Sequence, residues 1–129
     1  MAFKAKFECD GKTSNVLLCS YSFHQNVDAT GRPSSDVRGG MIHLTVESTE
    51  DTSILEWMND PHNFKDGKVT FFKRDQDSKM KELEFKSAAC VEYSESFDAN
   101  NANPMSCSFT LSAKEITMGQ ASHVNPWPI

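Results

Sequence analysis

Apolar and polar residues alternate with a period of two over most of this chain, and that alternation limits its fold more than any other feature. The N-terminal run places four apolar side chains on one face: Phe3, Ala5, Phe7 and Cys9. The run at residues 41–48 places three on one face: Ile42, Leu44 and Val46. Because no strand–helix–strand rhythm repeats, the sequence predicts a mostly β, antiparallel fold, closed as a barrel or built from two packed sheets.

Three further runs predict longer strands with defined apolar faces. In "NVLLCSYSF", residues 15–23, the predicted inner face carries Leu17, Cys19, Tyr21 and Phe23. Val16 and Leu18 make its second face partly apolar, so we expect this strand to be covered on both sides. Residues 79–97 predict one face made of Leu83, Phe85, Ala89, Val91, Tyr93 and Phe97. Residues 105–118 predict another, made of Met105, Cys107, Phe109, Leu111 and Ala113, with a parity shift at Glu115 and Ile116 that indicates a bulge or a strand end.

Turn and helix signals divide these runs. "DGK" at residues 10–12 predicts a hairpin turn, and Asp66 with Gly67 predicts a second turn. Between residues 48 and 61 the spacing of Ile54, Leu55 and Met58 predicts one short flanking helix with a buried Trp57. Ser53 and Glu56 stand at capping-box spacing, the other candidate N-caps are Thr49, Asp51 and Thr52, and Pro61 is expected to end the helix. Residues 120–129 are expected to be an irregular tail, with Trp127 packing on its own domain or on a neighbour.

The chain length favours one domain, residues 1–129, and the net charge limits its partners. A net charge of −5 argues against nucleic acid and against an anionic membrane surface. The chain contains no apolar stretch of membrane-spanning length, and its N-terminus lacks the apolar segment of a cleaved signal peptide, so we expect the protein to begin in the cytosol. The four cysteines form no C-x-x-C pair, and reduced thiols are favoured over disulfides.

A search for catalytic or cofactor chemistry finds no supporting motif. The four histidines are scattered, and none stands at a spacing typical of metal ligands. The glycines of residues 26–40 fit neither the P-loop nor the dinucleotide pattern. The basic, aromatic stretch at residues 71–86 is interleaved with acids, which favours a charged hairpin over a nucleic-acid surface. We therefore predict no metal and no cofactor, and an enzyme with an unrecognised site stays open as a third, weaker interpretation.

The longest polar connection is "NVDATGRPSSDVRGG", residues 26–40. Loops of this length in a compact domain are usually functional or disordered. Two interpretations are open: a lid over a ligand in a monomeric barrel, or an arm that contacts another subunit.

Several stretches of the chain, in order, resemble the Bacteroidetes-type tube protein of the type VI secretion system, the Hcp or TssD family. They are "CSYSFHQNVDATGRPSSDVRGG", then "I-x-L-T-V-E-S-T" leading to "EWM", then "KDGKVTFFKRDQDSKMKELEF" and "FTLSAKEITMG". The resemblance extends from Ala2 to about Gly119 and leaves the tail least constrained.

This resemblance implies a compact β-barrel with one flanking helix, a homohexameric ring with a wide pore, and rings stacked into the inner tube of a contractile injector. It implies partners in the sheath, spike and baseplate, small effectors in the lumen of some relatives, no active site, and export by the machine itself. In such a subunit we expect the loop to form a subunit contact through Asp28, Gly31, Arg32, Pro33, Ser34, Ser35, Arg38, Gly39 and Gly40. The alternative is a monomeric β-barrel that binds a small ligand or a protein.

Overall fold

A computed structural model describes residues 4–35, 38–50, 52–60, 62–73, 78–100 and 105–125 of the 129-residue chain. It contains seven strands and one helix, in the order β1 (Lys4–Cys9), β2 (Lys12–Tyr21), β3 (Met41–Glu47), α1 (Ser53–Met58), β4 (Lys65–Phe72), β5 (Lys79–Phe97), β6 (Met105–Met118) and β7 (Ala121–Val124). Four residues named in the sequence predictions lie outside the described residues: Phe3, Asp51, Pro61 and Trp127.

The strands form one antiparallel sheet in the order β3-β2-β1-β4-β5-β6-β7, and a further β3–β6 pairing closes it into a barrel. The predicted β-barrel with one short helix is confirmed. The β1–β2 turn is also as predicted, because Cys9 pairs with Lys12 while Asp10 and Gly11 take positive φ angles of 55° and 75°.

The core is built from the inward faces that the alternation predicted for β1, β3 and β6. Ile42, Leu44 and Val46 of β3 are all buried. The Phe7 ring stacks on Phe85 with centroids 6.0 Å apart and meets the edge of Phe109 at 5.4 Å. Burial of such aromatic and aliphatic surface is the main term that stabilises the barrel.

Three bulges correct the predicted faces of β2 and β5. The β2–β3 register gains a residue between Val16 and Leu18, so Leu17 turns outward and is 42% exposed. The β5–β6 register gains one between Cys90 and Glu92, so Val91 turns outward and is 41% exposed. The expectation that Leu17 and Val91 face inward is therefore wrong, because an inserted residue reverses the alternation at that point.

The third bulge lies in β5, opposite residues 65–67 of β4. Ser87 has a positive φ of 52°, and its N–H donates to Asp66 Oδ1 at 2.9 Å. The next buried side chain after Phe85 is therefore that of Ala88. Ala89, which was predicted to face the core, is only half-buried. Asp66 and Gly67, predicted as a turn, lie inside β4 at this bulge.

Two strand ends also differ from expectation. Phe97 pairs with Met105 one step beyond the last β3–β6 pair, Glu47 with Ser106, and both Phe97 and Met105 are exposed. Burial in β6 changes parity between Ala113 and Ile116, near the predicted shift, yet the strand continues to Met118. The tail is not irregular at its start, because residues 121–124 form β7 and pair with β6 after a turn in which Gly119 has φ +60°.

The helix is shorter than the segment between residues 48 and 61 in which it was predicted. It begins after Thr52, whose hydroxyl donates to Glu56 Oε2 at 2.7 Å, and it ends at Met58. Ser53 is therefore the first helical residue rather than the N-cap. Trp57 belongs to the core as predicted, and its Nε1–H donates to the Asn63 carbonyl at 2.7 Å, whereas Leu55 is exposed.

Candidate functional site

The described part of the long polar loop is an ordered hairpin, which we call the arm (residues 22–35 and 38). His24 and Arg38 exchange backbone hydrogen bonds of 2.8 and 2.6 Å, and Val27 pairs with Pro33 in a second antiparallel bridge. Between these bridges the Ser34 N–H donates to the Asn26 carbonyl at 2.7 Å. The arm therefore has a defined shape, which a loop without internal pairing would lack.

The tip of the arm is organised by Asp28. Its Oδ1 accepts from the Thr30 N–H at 2.9 Å, the Thr30 hydroxyl at 2.7 Å and the Arg32 N–H at 3.1 Å. The Asp28 N–H donates to the Arg32 carbonyl, and Gly31 closes the turn with φ +87°. These bonds favour the charged carboxylate, first through the Thr30 hydroxyl and then through the backbone N–H groups of Thr30 and Arg32, so they lower the pKa of Asp28 below its ordinary value.

The arm is ordered without being buried. Every residue from 22 to 34 is exposed, including Val27 at 62%, while Ser35 is half-buried and its hydroxyl accepts from the Asn26 N–H at 2.9 Å. Hydrogen bonds and turns hold this segment, and the barrel contributes little apolar cover to it.

Gly39 and Gly40 form the root of the arm, where the chain enters β3. Gly40 is buried with φ +102°, and its carbonyl accepts from the Ala113 N–H at 2.7 Å. The Gly39 carbonyl accepts from Asn125 Nδ2 at 3.1 Å. The sequence predicts these glycines as a flexible return, but the structure holds both of them in place.

The root lies where two strands meet end to end along one edge of β6. β3 pairs with Ser106 through Ser112, and β7 pairs with Glu115 through Met118. Both are antiparallel to β6, so the end of β7 faces the beginning of β3 across Ala113 and Lys114. The arm leaves the barrel beside this junction.

An apolar depression lies next to the root. The Phe23 ring meets the His123 ring edge to face at 5.4 Å, and these two residues line a cavity of about 240 Å³ with Ile116, Met118 and Ala121. Phe23 is 42% exposed, so the outgoing strand of the arm carries an apolar side chain at its base.

The structure brings all nine predicted site residues into the arm and its root. Asp28, Gly31 and Arg32 form the tip, Pro33, Ser34 and Ser35 form the returning strand, and Arg38, Gly39 and Gly40 lead into β3. Sequence reasoning missed Phe23, His123 and Asn125, which lie beside the root. The available signal was Gly119 directly after the predicted strand of residues 105–118, since glycine there is typical of a turn into a further strand.

The described residues offer little reactive chemistry. They contain no group of three or more His, Cys, Asp or Glu side chains placed to hold a metal ion. All four cysteines lie within the described residues, and none of them forms a disulfide. Burial raises the pKa of Cys9, Cys19 and Cys90 to about 11. Such thiols are largely protonated at neutral pH and are poor nucleophiles. No helix in the described part of the chain is long and apolar enough to cross a membrane.

The described residues thus form a closed β-barrel that projects an ordered, exposed arm. The model of the family described as hemolysin coregulated protein Hcp (TssD) matches residues 1–128, and the chain belongs to this family. It is a subunit of the type VI secretion tube and not an enzyme. Members of the family assemble into tubes. The resemblance stated from the sequence is thus confirmed.

Solved structures agree with this assignment. Hcp1 from Flavobacterium johnsoniae is 43% identical, with 95% of this chain and 99% of that chain covered and a TM-score of 0.90. Hcp1 from Salmonella typhimurium shares the fold at 12% identity, with 96% and 95% covered and a TM-score of 0.78. The sheath–tube complex of an extracellular contractile injection system, PVC, is similar at 17% identity, with 92% and 89% covered and a TM-score of 0.56. The search of curated protein sequences found no match.

Proposed function

We propose that the chain is a single-domain subunit that closes into homohexameric rings, and that the arm makes the contact by which a subunit joins its neighbour. The observation that carries this proposal is the combination of order and exposure in the arm. Hydrogen bonds around Asp28 and between its two strands preorganise the arm, and a preorganised arm binds a neighbour with less loss of conformational entropy.

The residues proposed for the contact divide by role. Asp28 and Gly31 shape the tip, because the carboxylate is engaged by Thr30 and Arg32. The exposed side chains of Val27, Arg32 and Pro33 are the groups available to a partner. A ring requires a heterologous interface, in which the arm of one copy meets a different surface of the next.

The wider partners follow from family membership. We propose that the rings stack into a tube inside the sheath, with contacts to spike and baseplate proteins at its ends and small effector proteins in the lumen. The tube assembles in the cytoplasm and leaves the cell when the sheath contracts. A monomeric binding barrel is the competing function, and the arm would then be a lid.

Reversing the charge of Arg32 tests the contact. Arg32→Glu should raise the concentration needed for rings and tubes by about tenfold or more, because the charge that the neighbour accommodates is inverted. Negative-stain imaging measures assembly, and thermal unfolding of the same sample should match the unaltered chain, because Arg32 is exposed.

Lys73→Glu supplies the matched control, since it makes the same charge change at an exposed residue outside the arm. Rings and tubes that form normally from Arg32→Glu would remove the arm from the subunit contact. Equal impairment by both variants would assign the effect to net charge.

A further inference from the structure

The seventh strand takes no part in closing the barrel, and its position assigns it another task. We propose that Asn125, at the end of β7, is a positioning residue that clamps the root of the arm and fixes the direction in which the arm leaves the barrel. The importance of that direction for assembly rests on the proposed function; the clamp itself does not.

Asn125 joins three segments of chain. Its side-chain Nδ2 donates to the Gly39 carbonyl at 3.1 Å and to the Ala113 carbonyl at 3.0 Å. Its backbone N–H donates to the Lys114 carbonyl at 2.7 Å. One residue thus holds the returning strand of the arm against β6 in the gap between β7 and β3.

The orientation of the amide follows from its neighbours. Nδ2 faces two carbonyl oxygens, so Oδ1 is the atom that faces His123, and His123 Nε2 lies 2.9 Å from it. Because a carbonyl oxygen only accepts, Nε2 must carry the hydrogen and donate it. Neutral and protonated His123 can both make this bond, so the clamp does not depend on the charge of the imidazole.

The two root glycines leave the space that the clamp occupies. A Cβ on Gly40 would overlap Asn125 Nδ2 and would lie 2.7 Å from the Ala113 carbonyl oxygen. A Cβ on Gly39 would overlap the Phe23 ring. Gly40 therefore requires glycine, because a backbone oxygen leaves no room for a Cβ and φ is +102°, whereas a side chain at Gly39 would displace the Phe23 ring.

The clamp contacts both strands of the arm. Asn125 holds the returning strand through Gly39, and His123 packs against Phe23 at the base of the outgoing strand. Two fixed points at the base of a hairpin set its direction, whereas the bonds inside the arm set only its shape. β7 therefore determines where the preformed arm points.

Asn125→Asp tests the clamp with little change in shape. It replaces the donor with an oxygen that faces two carbonyl oxygens, and Asn125→Leu removes the donor without adding charge. We expect the backbone amide of Ala113, which donates to the Gly40 carbonyl at the root, to exchange with solvent about tenfold faster or more in both variants. The amides of Leu44 and Leu111 in the barrel should keep their exchange rates. Exchange is measured on the full chain under conditions where all variants show the same light-scattering mass.

Asn100→Asp is the matched control, because it adds the same charge at an exposed residue that follows β5, at the end of the barrel opposite the arm. Unchanged exchange at Ala113 in both Asn125 variants would overturn the clamp, whatever happens to assembly. Faster exchange with impaired rings supports the clamp and the arm contact together. Faster exchange with normal rings supports the clamp and contradicts the claim that the direction of the arm matters for assembly.

Discussion

The barrel and the arm are stabilised by different forces. Inside the barrel, Ile42, Val69, Leu83 and Leu111 are completely buried, and removal of apolar surface from water dominates. In the arm, all residues from 22 to 34 are exposed, and hydrogen bonds around Asp28 and between the two strands supply the order. The difference teaches that stability and assembly are encoded in separate parts of one small chain, so single substitutions can separate them.

The largest expected effect is in the barrel. Phe85→Ala should lower the free energy of unfolding by about 3–5 kcal/mol, because it empties space between Phe7 and the backbone at Gly67. Chemical denaturation measures the change. Phe97→Ala is the matched control on the same strand, and its effect should stay within about 0.5 kcal/mol, because Phe97 is 68% exposed. Similar losses from both variants would contradict the division between core and surface.

The next effects concern the arm and leave the barrel intact. Arg32→Glu should impair rings with an unchanged unfolding transition, and Asn125→Asp should loosen the root. If either variant lowers the free energy of unfolding as much as Phe85→Ala does, the arm and the barrel form one cooperative unit. That result would contradict the claim that stability and assembly are encoded in separate parts of the chain.

The smallest effect is a pH dependence confined to the tip. The pKa of Asp28 is lowered in the folded chain, so its contribution is complete above the ordinary carboxyl pKa and is lost as the pH falls through the lower folded value. The amide signals of Thr30 and Arg32 should therefore shift only in acid, when their acceptor becomes protonated. NMR titration measures this shift, and Asp28→Asn should abolish it. A tip that titrates identically in the variant would show that another group is responsible.

The sequence predicted the strands wherever local pattern and final environment agree. Alternation located β3 and its buried residues Ile42, Leu44 and Val46, and "DGK" located the first hairpin. It failed at Leu17 and Val91, because a bulge arises from the pairing of two distant strands and leaves no mark in either one alone.

The candidate site shows the same limit. The composition of residues 26–40 indicated a functional loop, and family resemblance supplied its interpretation. Neither could show that Asp28 would be engaged within the tip. Nor could either show that Gly40 makes room for the Asn125 side chain, because that depends on where β7 meets β3. Asn125 has no local signal for its role, since its partners come from the arm root and β6.

The most direct test of the central claim, that this chain is a ring-forming tube subunit, is its mass in solution. Size-exclusion chromatography with light scattering should give a mass near six times 14.4 kDa for the purified chain. A stable monomer of 14.4 kDa at high micromolar concentration would contradict the account.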